Sequence, residues 1–464
     1  MWPFLVLMAA VALLAGACSS PGTPTPPGPN TAAASAGPAK AVIPPDTPAG
    51  AQLRWLIAAV AHLPMSGAQV RAHFDAPFLA QVSPAMLNQA LQGATGVKLL
   101  SIQVSKPSTL VAIVSTSGVI PRAQVALAVD SQGLISGLRI TPATTAPVPA
   151  TWAGVNAALR TVAPQVRLLV ANVSNGSCQP VDSIDPATAA PLGSAFKLYV
   201  LDALGHAVAS GKVHWNQPLT VTAQLKSLPS GELQDQPDGT RISVQDTAAK
   251  MISISDNTAA NMLINLVGRP AVEAALTTTG MADPALDRPF LTTREMFILK
   301  LDQWPALAKR YVAANEAGRR ALLAGTIDQA PLPAVAAAQA WTMPRDINSV
   351  EWFASADDIC RVYASLAVLA RRPGLSAVGQ VLSLNDGGLQ LDPAQWKTTW
   401  FKGGSEPGVL SLAYLATTRT GQSYVVTVLA EDPSQPINEA KAAPVLLAAI
   451  KGAFTLAVGA ARMR

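Results

Sequence analysis

The chain has 464 residues, of which 50% are hydrophobic and 13% are charged, a composition typical of folded domains and not of a disordered chain. This length exceeds what one hydrophobic core usually organises, so we expect two domains. The formal net charge of +5 is spread thinly, without a Lys/Arg block, and this argues against a nucleic-acid partner.

The first eighteen residues predict a lipoprotein signal peptide. Their apolar run is too short for a comfortable membrane span and ends in small residues, as secretion signals do. The ending Leu14-Ala15-Gly16-Ala17-Cys18 resembles a bacterial lipobox, in which lipidated Cys18 would hold the protein at the cell membrane. Ala15 and the absence of Lys or Arg before the run depart from that pattern, so cleavage near Ala17 and secretion is the alternative. Either way, we expect an extracytoplasmic location.

Residues 19–48 are dense in Pro, Ala, Ser and Thr and predict an extended linker. Residues 49–148 predict a small α+β domain. Helices are expected at 51–62 and, after the capping pair Ser83-Pro84, at 85–91. Four Val- and Ile-rich runs between 97 and 140 then predict an antiparallel meander. This domain shows no titratable cluster, so a binding or spacing role is expected for it.

Residues 149–464 predict a sheet formed by terminal strands, with a helical insert between them. A buried strand is expected at 166–174, ended by the tight-turn pair Asn175-Gly176, and a helix-rich region at 194–380. The closing segment 437–454 has helical spacing and is expected to pack on the sheet. Three further strands are predicted at 396–404, 409–418 and 423–432.

Besides Cys18, the chain contains Cys178 and Cys360. An exported protein can pair two such cysteines, but the sequence does not show that their Cα atoms approach, so paired and free states both stay open. The four scattered histidines form no HxxxH motif and there is no CxxC. We therefore expect no catalytic zinc and no cofactor.

Three short motifs follow one another in the second domain: Ser194-Ala-Phe-Lys197, Ser255-Asp256-Asn257 and Lys402-Gly403-Gly404-Ser405. Ser and Lys three apart on a helix share a face, and a semi-buried Lys can lose its proton and activate the hydroxyl. Each motif alone is compatible with a plainer interpretation, namely a capping Ser with a solvated Lys, an N-cap, or a Gly-rich strand end. The ordered set is harder to explain that way.

S-x-x-K, S-D-N and a Lys-Thr/Ser-Gly strand together resemble the class A β-lactamases and penicillin-binding proteins. The flanking segments GSAFKLYVLDAL and SISDNTAANML resemble that family too. The two-domain layout is similar to actinobacterial, including mycobacterial, β-lactamase-like lipoproteins and to the serine hydrolase of the clavulanic acid gene cluster. This implies an α+β architecture in which a small cystatin- or steroid-isomerase-like domain precedes a β-lactamase/transpeptidase-like domain, an antiparallel sheet with a helical subdomain. The stretch from 255 to 402 is longer than in a compact β-lactamase and implies extra helices.

The resemblance also implies roles for the motif residues. Ser194 would be the acylated nucleophile and Lys197 its proton acceptor. Ser255 would relay a proton to the leaving group, while Asn257 would hold substrate and Lys197. Lys402 would supply positive potential. The backbone N–H groups of Ser194 and Ser405 would form the oxyanion hole, and Gly403 and Gly404 would lie in the substrate-binding strand.

Two departures bear on the substrate. Gly403 stands where the family has a Thr or Ser that binds a substrate carboxylate, and Arg419 falls in a turn where it cannot replace that contact. No deacylating glutamate is placed with certainty; Glu295 and Glu351 are the candidates, and both are more typical of helix starts. The nearby Trp352, Trp396 and Trp400 are either cleft or core residues.

The expected function is thus an exported serine hydrolase that forms an acyl-enzyme at Ser194 and hydrolyses an ester or amide, with weak β-lactam reactivity at most. One alternative is a D,D-peptidase or β-lactamase acting on peptidoglycan or β-lactams. Another is a non-catalytic cell-envelope binding lipoprotein on the same fold. The expected partners are an acyl substrate, small or peptidoglycan-like, and a membrane reached through Cys18.

Overall fold

The computed structural model describes residues 42–462, except 93, 95, 106, 118–121 and 144–145. The chain divides into two compact units, one ending at Ala143 and the other running from Thr144 to Arg464. This division lies five residues before the boundary expected from the sequence. The predicted signal peptide, Cys18 and the predicted linker as far as residue 41 lie outside the described residues.

The first unit consists of short helices followed by a sheet. Thr47 and Ser83 each accept a hydrogen bond from a backbone N–H in the first turn of the helix that follows, which fixes where two of these helices begin. The sheet is antiparallel with strand order β1-β2-β3-β4, so the predicted meander is confirmed. The elements are α1 (Pro48–Val60), α2 (Gly67–His73), α3 (Ala76–Gln81), α4 (Pro84–Leu91), β1 (Lys98–Ser105), β2 (Thr109–Ser115), β3 (Arg122–Val129) and β4 (Ile135–Pro142).

The core of the first unit lies between the helices and one face of this sheet. Strand β3 buries alternate residues, Ala123, Val125, Leu127 and Val129, as expected for a sheet covered on one side. Helices α2 and α3, which the sequence did not predict, are each only one to two turns long. Helices this short have little periodicity to detect.

The second unit places twelve helices around a central sheet in the described residues. The helices are α5 (Trp152–Leu159), α6 (Lys197–Ala209), α7 (Val244–Ser253), α8 (Asn257–Val267), α9 (Arg269–Thr278), α10 (Thr293–Leu301), α11 (Ala306–Ala313), α12 (Glu316–Leu322), α13 (Val335–Gln339), α14 (Ala356–Leu369), α15 (Ser376–Leu382) and α16 (Glu439–Arg462). The strands are β5 (Gln165–Ser174), β6 (Ser177–Ile184), β7 (Ala190–Pro191), β8 (Pro218–Thr220), β9 (Arg241–Ser243), β10 (Phe353–Ala354), β11 (Trp396–Glu406), β12 (Val409–Thr418) and β13 (Ser423–Glu431).

The central sheet is antiparallel and has the strand order β11-β12-β13-β5-β6. One face packs on the helical subdomain, including α6 and α14, and the other packs on α5 and α16. Asn175 and Gly176 both have positive φ, 51° and 76°, which suits the predicted tight turn between β5 and β6. The predicted combination of an antiparallel sheet with a helical subdomain is confirmed, and the extra length after Asn257 includes α10 to α13. Strand β11 lies at the sheet edge, and this exposes one side of its backbone.

Helix α16 contains a segment, Lys441–Ala460, that is long and apolar enough to cross a membrane, with a hydropathy of 1.7. In the structure 61% of that segment is buried, since it packs on the sheet together with α5. A core helix of a globular domain has the same composition, so the segment by itself does not indicate a membrane span.

Cys178 on β6 and Cys360 on α14 form a disulfide, with their Cα atoms 6.3 Å apart. The structure therefore selects the paired state from the two that the sequence left open. The bond joins the edge strand β6 to the helical subdomain that covers one face of the sheet.

Candidate active site

Ser194 and Lys197 occupy a short turn that leads into α6. Residues Gly193–Phe196 form a 3₁₀ turn, and Lys197 begins the helix. The Lys197 side chain is fully buried, and its Nζ lies 3.1 Å from Ser194 Oγ. The turn therefore brings an amine within hydrogen-bond distance of the hydroxyl, as the three-residue spacing predicted.

Ser255, Asp256 and Asn257 precede and begin α8, and Asp256 fixes their backbone. Its Oδ1 accepts a hydrogen bond from Ala259 N, while its Oδ2 accepts from the backbone N–H groups of Glu232 and Leu233 at 2.8 and 2.9 Å. Ser255 has a left-handed φ of 57°, a conformation that a non-glycine residue adopts only when its surroundings impose it. Asp256 is thus the N-cap, and its two neighbours are free to face Lys197.

Lys197 Nζ donates to Ser255 O at 2.6 Å and to Asn257 Oδ1 at 2.7 Å, and it lies 3.1 Å from Ser255 Oγ. Both carbonyl oxygens can only accept. A neutral amine has two N–H bonds and one lone pair, so these two acceptors engage its hydrogens. The lone pair is then left for a hydroxyl that can donate, such as Ser194.

Lys402 approaches Ser255 from strand β11. Its Nζ donates to Ser255 Oγ at 2.9 Å and to Gly403 O at 2.6 Å. The structure thus brings together Ser194, Lys197, Ser255, Asn257 and Lys402, which lie on three separate segments of the chain.

Burial shifts the pKa of both lysines. Desolvation, followed by the positive charge of Lys402, holds the pKa of Lys197 well below its ordinary value of 10.5. Desolvation also lowers the pKa of Lys402 to about 7. A buried amine with a lowered pKa is neutral at a pH where an exposed lysine is charged. Lys197 can therefore act as a base toward Ser194.

The 3₁₀ turn Gly193–Phe196 carries the candidate nucleophile Ser194, and we call it the nucleophile turn. Two glycines let the backbones of this turn and of β11 approach each other. A Cβ atom on Gly404 would lie 2.2 Å from Leu192 O and 2.4 Å from Ser194 N, and one on Gly193 would lie 2.8 Å from Ser405 N. Distances this short exclude any side chain at either position. The backbones that carry Ser194 N and Ser405 N therefore lie close together at the edge of the sheet, as the oxyanion hole expected from the sequence requires.

The immediate neighbours of Gly403 on β11 and β12 are apolar. The cross-strand partner of Gly403 is Leu412 on β12, and a Cβ atom on Gly403 would meet Phe401 Cζ at 2.8 Å. The Phe401 ring is held in place by Tyr414, with the two ring centroids 4.7 Å apart. An aromatic ring therefore lies close to the space that a Thr or Ser side chain at 403 would need.

Glu295 and Glu351, the two candidates for a deacylating carboxylate, have different surroundings. Glu295 is the third residue of α10, completes a capping box with Thr292 and pairs with Arg269, so its expected place at a helix start is confirmed. Glu351 was expected at a helix start as well, and that expectation was wrong. It precedes the short strand β10, four residues before Ser355, the N-cap of α14.

Glu351 lines a small cavity beside Ser194, with a volume of about 50 Å³. Asn257, Thr293 and Trp352 also line it, and the volume exceeds the 10–15 Å³ or so that one water molecule requires. Trp352 is buried and stacks on Phe196, so it belongs to both core and cavity wall, whereas Trp396 and Trp400 are core residues.

Sequence reasoning missed two charged residues near this cavity, Lys300 and Glu406. Both are buried and paired with each other. A signal existed, because Lys300 interrupts the apolar segment MFILKL and Glu406 continues the alternation of Lys402 and Gly404 along β11. Among the described residues, no group of three or more His, Cys, Asp or Glu side chains could hold a metal ion.

Two family models match the chain. Residues 152–330, which include Ser194 and Ser255 but not Lys402, match the beta-lactamase enzyme family, and residues 43–135 match the ORF 12 gene product N-terminal family. No curated protein matches the chain significantly.

Several solved structures are similar to this chain. A beta-lactamase from Sphaerobacter thermophilus DSM 20745 has 20% identity over 65% of this chain and 97% of its own, with a TM-score of 0.46. A beta-lactamase from Chitinophaga pinensis DSM 2588 has 19% identity over 65% and 97%, with a TM-score of 0.45. PBP-A, as an acyl-enzyme complex with penicillin G, has 17% identity over 67% and 98%, with a TM-score of 0.45. The second unit has a beta-lactamase/transpeptidase-like fold, with an antiparallel sheet packed on a helical subdomain, and its residues 152–330 are similar to the beta-lactamase enzyme family. This similarity supports a serine hydrolase in general.

Proposed function

We propose that this protein is an extracytoplasmic serine hydrolase that forms an acyl-enzyme at Ser194 and hydrolyses an uncharged ester or amide. The observation that carries the proposal is the 3.1 Å contact between Lys197 Nζ and Ser194 Oγ. That amine is buried, has a lowered pKa and is held by two carbonyl acceptors.

The reaction follows from this geometry. Lys197 takes the hydroxyl proton of Ser194 while Ser194 Oγ attacks the substrate carbonyl. The N–H groups of Ser194 and Ser405 bind the oxyanion that forms. Ser255, in contact with both lysines, passes a proton to the leaving group. Water then hydrolyses the acyl-enzyme.

The absence of a side-chain hydroxyl at Gly403 supports an uncharged substrate. A carboxylate bound beside residue 403 would lose its hydration without gaining a donor from a side chain at that position, at a cost of about 1–3 kcal/mol. This disfavours β-lactams and D-Ala-D-Ala peptides, which carry a carboxylate. Esters or amides without that group meet no such penalty.

Labelling with a fluorophosphonate tests the proposal. Wild-type protein should gain one adduct by intact mass, mapped to Ser194, and Ser194→Ala should gain none. Ser210→Ala, which alters an exposed serine at the end of α6, is the matched control and should label like wild type. Labelling that persists in Ser194→Ala would refute the proposed nucleophile.

A panel of substrates separates the candidate activities. We expect turnover of p-nitrophenyl esters and slow or no turnover of nitrocefin or of a D-Ala-D-Ala peptide. The opposite preference would favour the peptidase or β-lactamase alternative. Absence of any covalent adduct with all these reagents would favour a binding protein.

We also propose that the protein is exported and is anchored through a lipid on Cys18. The lipobox-like ending at Cys18 and the Cys178–Cys360 disulfide support this, because disulfides persist in extracytoplasmic compartments. Wild-type protein should partition into detergent, and Cys18→Ala should be recovered in the aqueous phase. Equal partitioning of both proteins would exclude the anchor.

A further inference from the structure

Three charged side chains that come from distant parts of the chain meet behind the nucleophile turn. Lys300 on α10, Glu351 before β10 and Glu406 at the end of β11 are 0%, 5% and 6% exposed. Lys300 Nζ donates a hydrogen bond to Glu406 Oε1 and lies 3.9 Å from Glu351 Oε1. We call these three residues the Lys300 triad. Buried ionic groups are costly to desolvate, so their presence here needs an explanation beyond packing.

The triad contacts the nucleophile turn through Glu351. Glu351 Oε2 accepts hydrogen bonds from Gly193 N at 3.2 Å and from Trp352 N at 2.8 Å. Gly193 immediately precedes Ser194, and Leu192 N donates to Trp352 O at 2.8 Å. The segment carrying Glu351 is thus bonded to the backbone just ahead of the nucleophile.

The triad contacts the other side of the site through Glu406, which immediately follows Ser405 on β11. Its side chain points to the buried face of the strand, where Lys300 holds it. The two amides assigned to the oxyanion hole, those of Ser194 and Ser405, therefore each lie next to a residue bonded to the triad.

Two carboxylate oxygens of the triad have no hydrogen-bond donor among the described residues. Glu351 Oε1 and Glu406 Oε2 are buried, and no N–H or O–H group in the described part of the chain donates to either. Burial and the neighbouring Glu351 carboxylate raise the pKa of Glu406 to about 8. A proton on Glu406 would supply a donor for these oxygens, and Lys300 would balance the negative charge that remains.

We propose that the Lys300 triad is a positioning device that sets the separation of the Ser194 and Ser405 amides and so preforms the oxyanion hole. Its members are positioning residues, because they act through the backbone. Glu351 in particular is not a free base, because its Oε2 accepts two backbone N–H bonds and its Oε1 lies 3.9 Å from Lys300 Nζ. The inference rests on the proposed function, since it needs an oxyanion to form at this place.

Glu351→Leu removes the acceptor of Gly193 N–H and is the main test. We expect faster amide hydrogen exchange in the peptide that contains Gly193, and a 10- to 100-fold slower maximal rate of fluorophosphonate labelling with little change in the half-saturating concentration, given that losing one oxyanion donor costs about 10²–10³-fold. Glu351→Gln keeps one accepting oxygen and places an amide donor toward Glu406. Glu351→Gln should therefore keep most of the wild-type labelling rate. If the Glu351 charge acted only on stability, this variant would not restore the rate, because it lacks the charge as well.

Glu273→Leu is the matched control, because Glu273 is another buried glutamate that accepts a backbone N–H bond, from Phe290 at 3.0 Å, and pairs with Arg320. It should lower the melting temperature without changing the labelling rate of the folded protein. Should Glu351→Leu fail to fold, Glu351→Asp keeps the charge and withdraws the carboxylate by one methylene, and it should also slow labelling.

The outcomes separate this inference from the proposed function. A wild-type protein without a Ser194 adduct overturns the proposed function, and hydrogen exchange at Gly193 still tests the triad. A labelled wild type, together with Glu351→Leu that labels and exchanges like Glu273→Leu, overturns the triad proposal and leaves the hydrolase intact.

Discussion

The two faces of strand β11 differ in chemistry. On one face Lys402, Gly404 and Glu406 are buried and contact Ser255, the nucleophile turn and Lys300. On the other face Phe401 lies over Gly403, which pairs with Leu412. Since successive residues of a strand point to opposite sides, one short segment carries a polar face and an apolar face. We propose that the polar face serves catalysis and that residue 403, on the apolar face, bears on substrate recognition. We call the two the catalytic face and the recognition face.

On the catalytic face, the largest loss of labelling rate is expected when Lys197 is replaced. Lys197→Met keeps an apolar side chain of similar length in the buried site but removes the base, so the labelling rate of Ser194 should fall by about 10²–10⁴-fold. Lys212→Met, at an exposed position, should label like wild type. The measurement is the second-order rate constant with a fluorophosphonate. A rate within threefold of wild type would contradict the assignment of Lys197 as the base.

Gly404→Ala tests the close approach of the two backbones. Its Cβ atom would lie 2.2 Å from Leu192 O, so β11 or the nucleophile turn must shift. We expect a loss of labelling of about 10²-fold, comparable to losing an oxyanion donor. Gly459 in α16 has nothing within 4 Å of its Cβ position, so Gly459→Ala should label like wild type. Unchanged labelling by Gly404→Ala would show that the amides need no such contact.

Substitutions on the recognition face should enable the protein to bind a substrate carboxylate. Gly403→Ser alone should not improve acylation by a fluorescent penicillin, because the Phe401 ring lies 2.8 Å from its Cβ position. Combined with Phe401→Ala, the new hydroxyl can bind the penicillin carboxylate and should raise the rate by roughly 10-fold, within the 1–3 kcal/mol or so of a polar contact. Fluorophosphonate labelling should change little. An equal gain from Gly403→Ser alone would mean that the ring does not block the site.

The pH dependence of labelling reports the coupling between the two lysines. Labelling should decline as the pH falls and Lys197 takes up a proton. Because the charge of Lys402 helps to lower the pKa of Lys197, Lys402→Met should raise that pKa and move the acid limb to higher pH. Rate constants measured from pH 5 to 10 for both proteins test this. An acid limb that stays in place or moves to lower pH would contradict it.

The smallest effect is expected for Glu406→Gln, in the pH dependence of the free energy of unfolding. In the folded protein its pKa is raised to about 8 from the ordinary 4.5, so the folded state binds more protons than the unfolded chain between these values. This contribution to stability is complete below pH 4.5, decreases as the pH rises and is lost above pH 8. Glu406→Gln should remove it. Urea unfolding of both proteins at pH 6 and pH 9 should therefore give a smaller pH difference for the variant.

The sequence predicted those parts of the site that depend on local order. Ser194 and Lys197 share one turn, Asp256 caps the helix that starts at Asn257, and Lys402 lies on a strand with clear alternation. Each arrangement follows from residues a few positions apart, where capping and periodicity act directly. The same local patterns predicted the main helices and strands of both units.

The remaining parts depend on contacts between distant segments. Glu351 and Gly193 lie 158 positions apart, and Lys300 and Glu406 lie 106 apart, so no local pattern links them. Glu351 was assigned to a helix start because the sequence shows an acidic residue before an apolar segment, which is also typical of a cap. The position of the Phe401 ring over Gly403 depends in turn on Tyr414 from the neighbouring strand.

The Cys178–Cys360 bond has a topological consequence. It closes a covalent ring across 182 positions of the chain, within which lie Ser194, Lys197, Ser255 and Asn257. In the chain-entropy description, a ring of this size destabilises the unfolded state by about 5 kcal/mol. An oxidised but denatured chain thus keeps four of the five reactive groups on one loop, and only Lys402 must return to them from the linear tail.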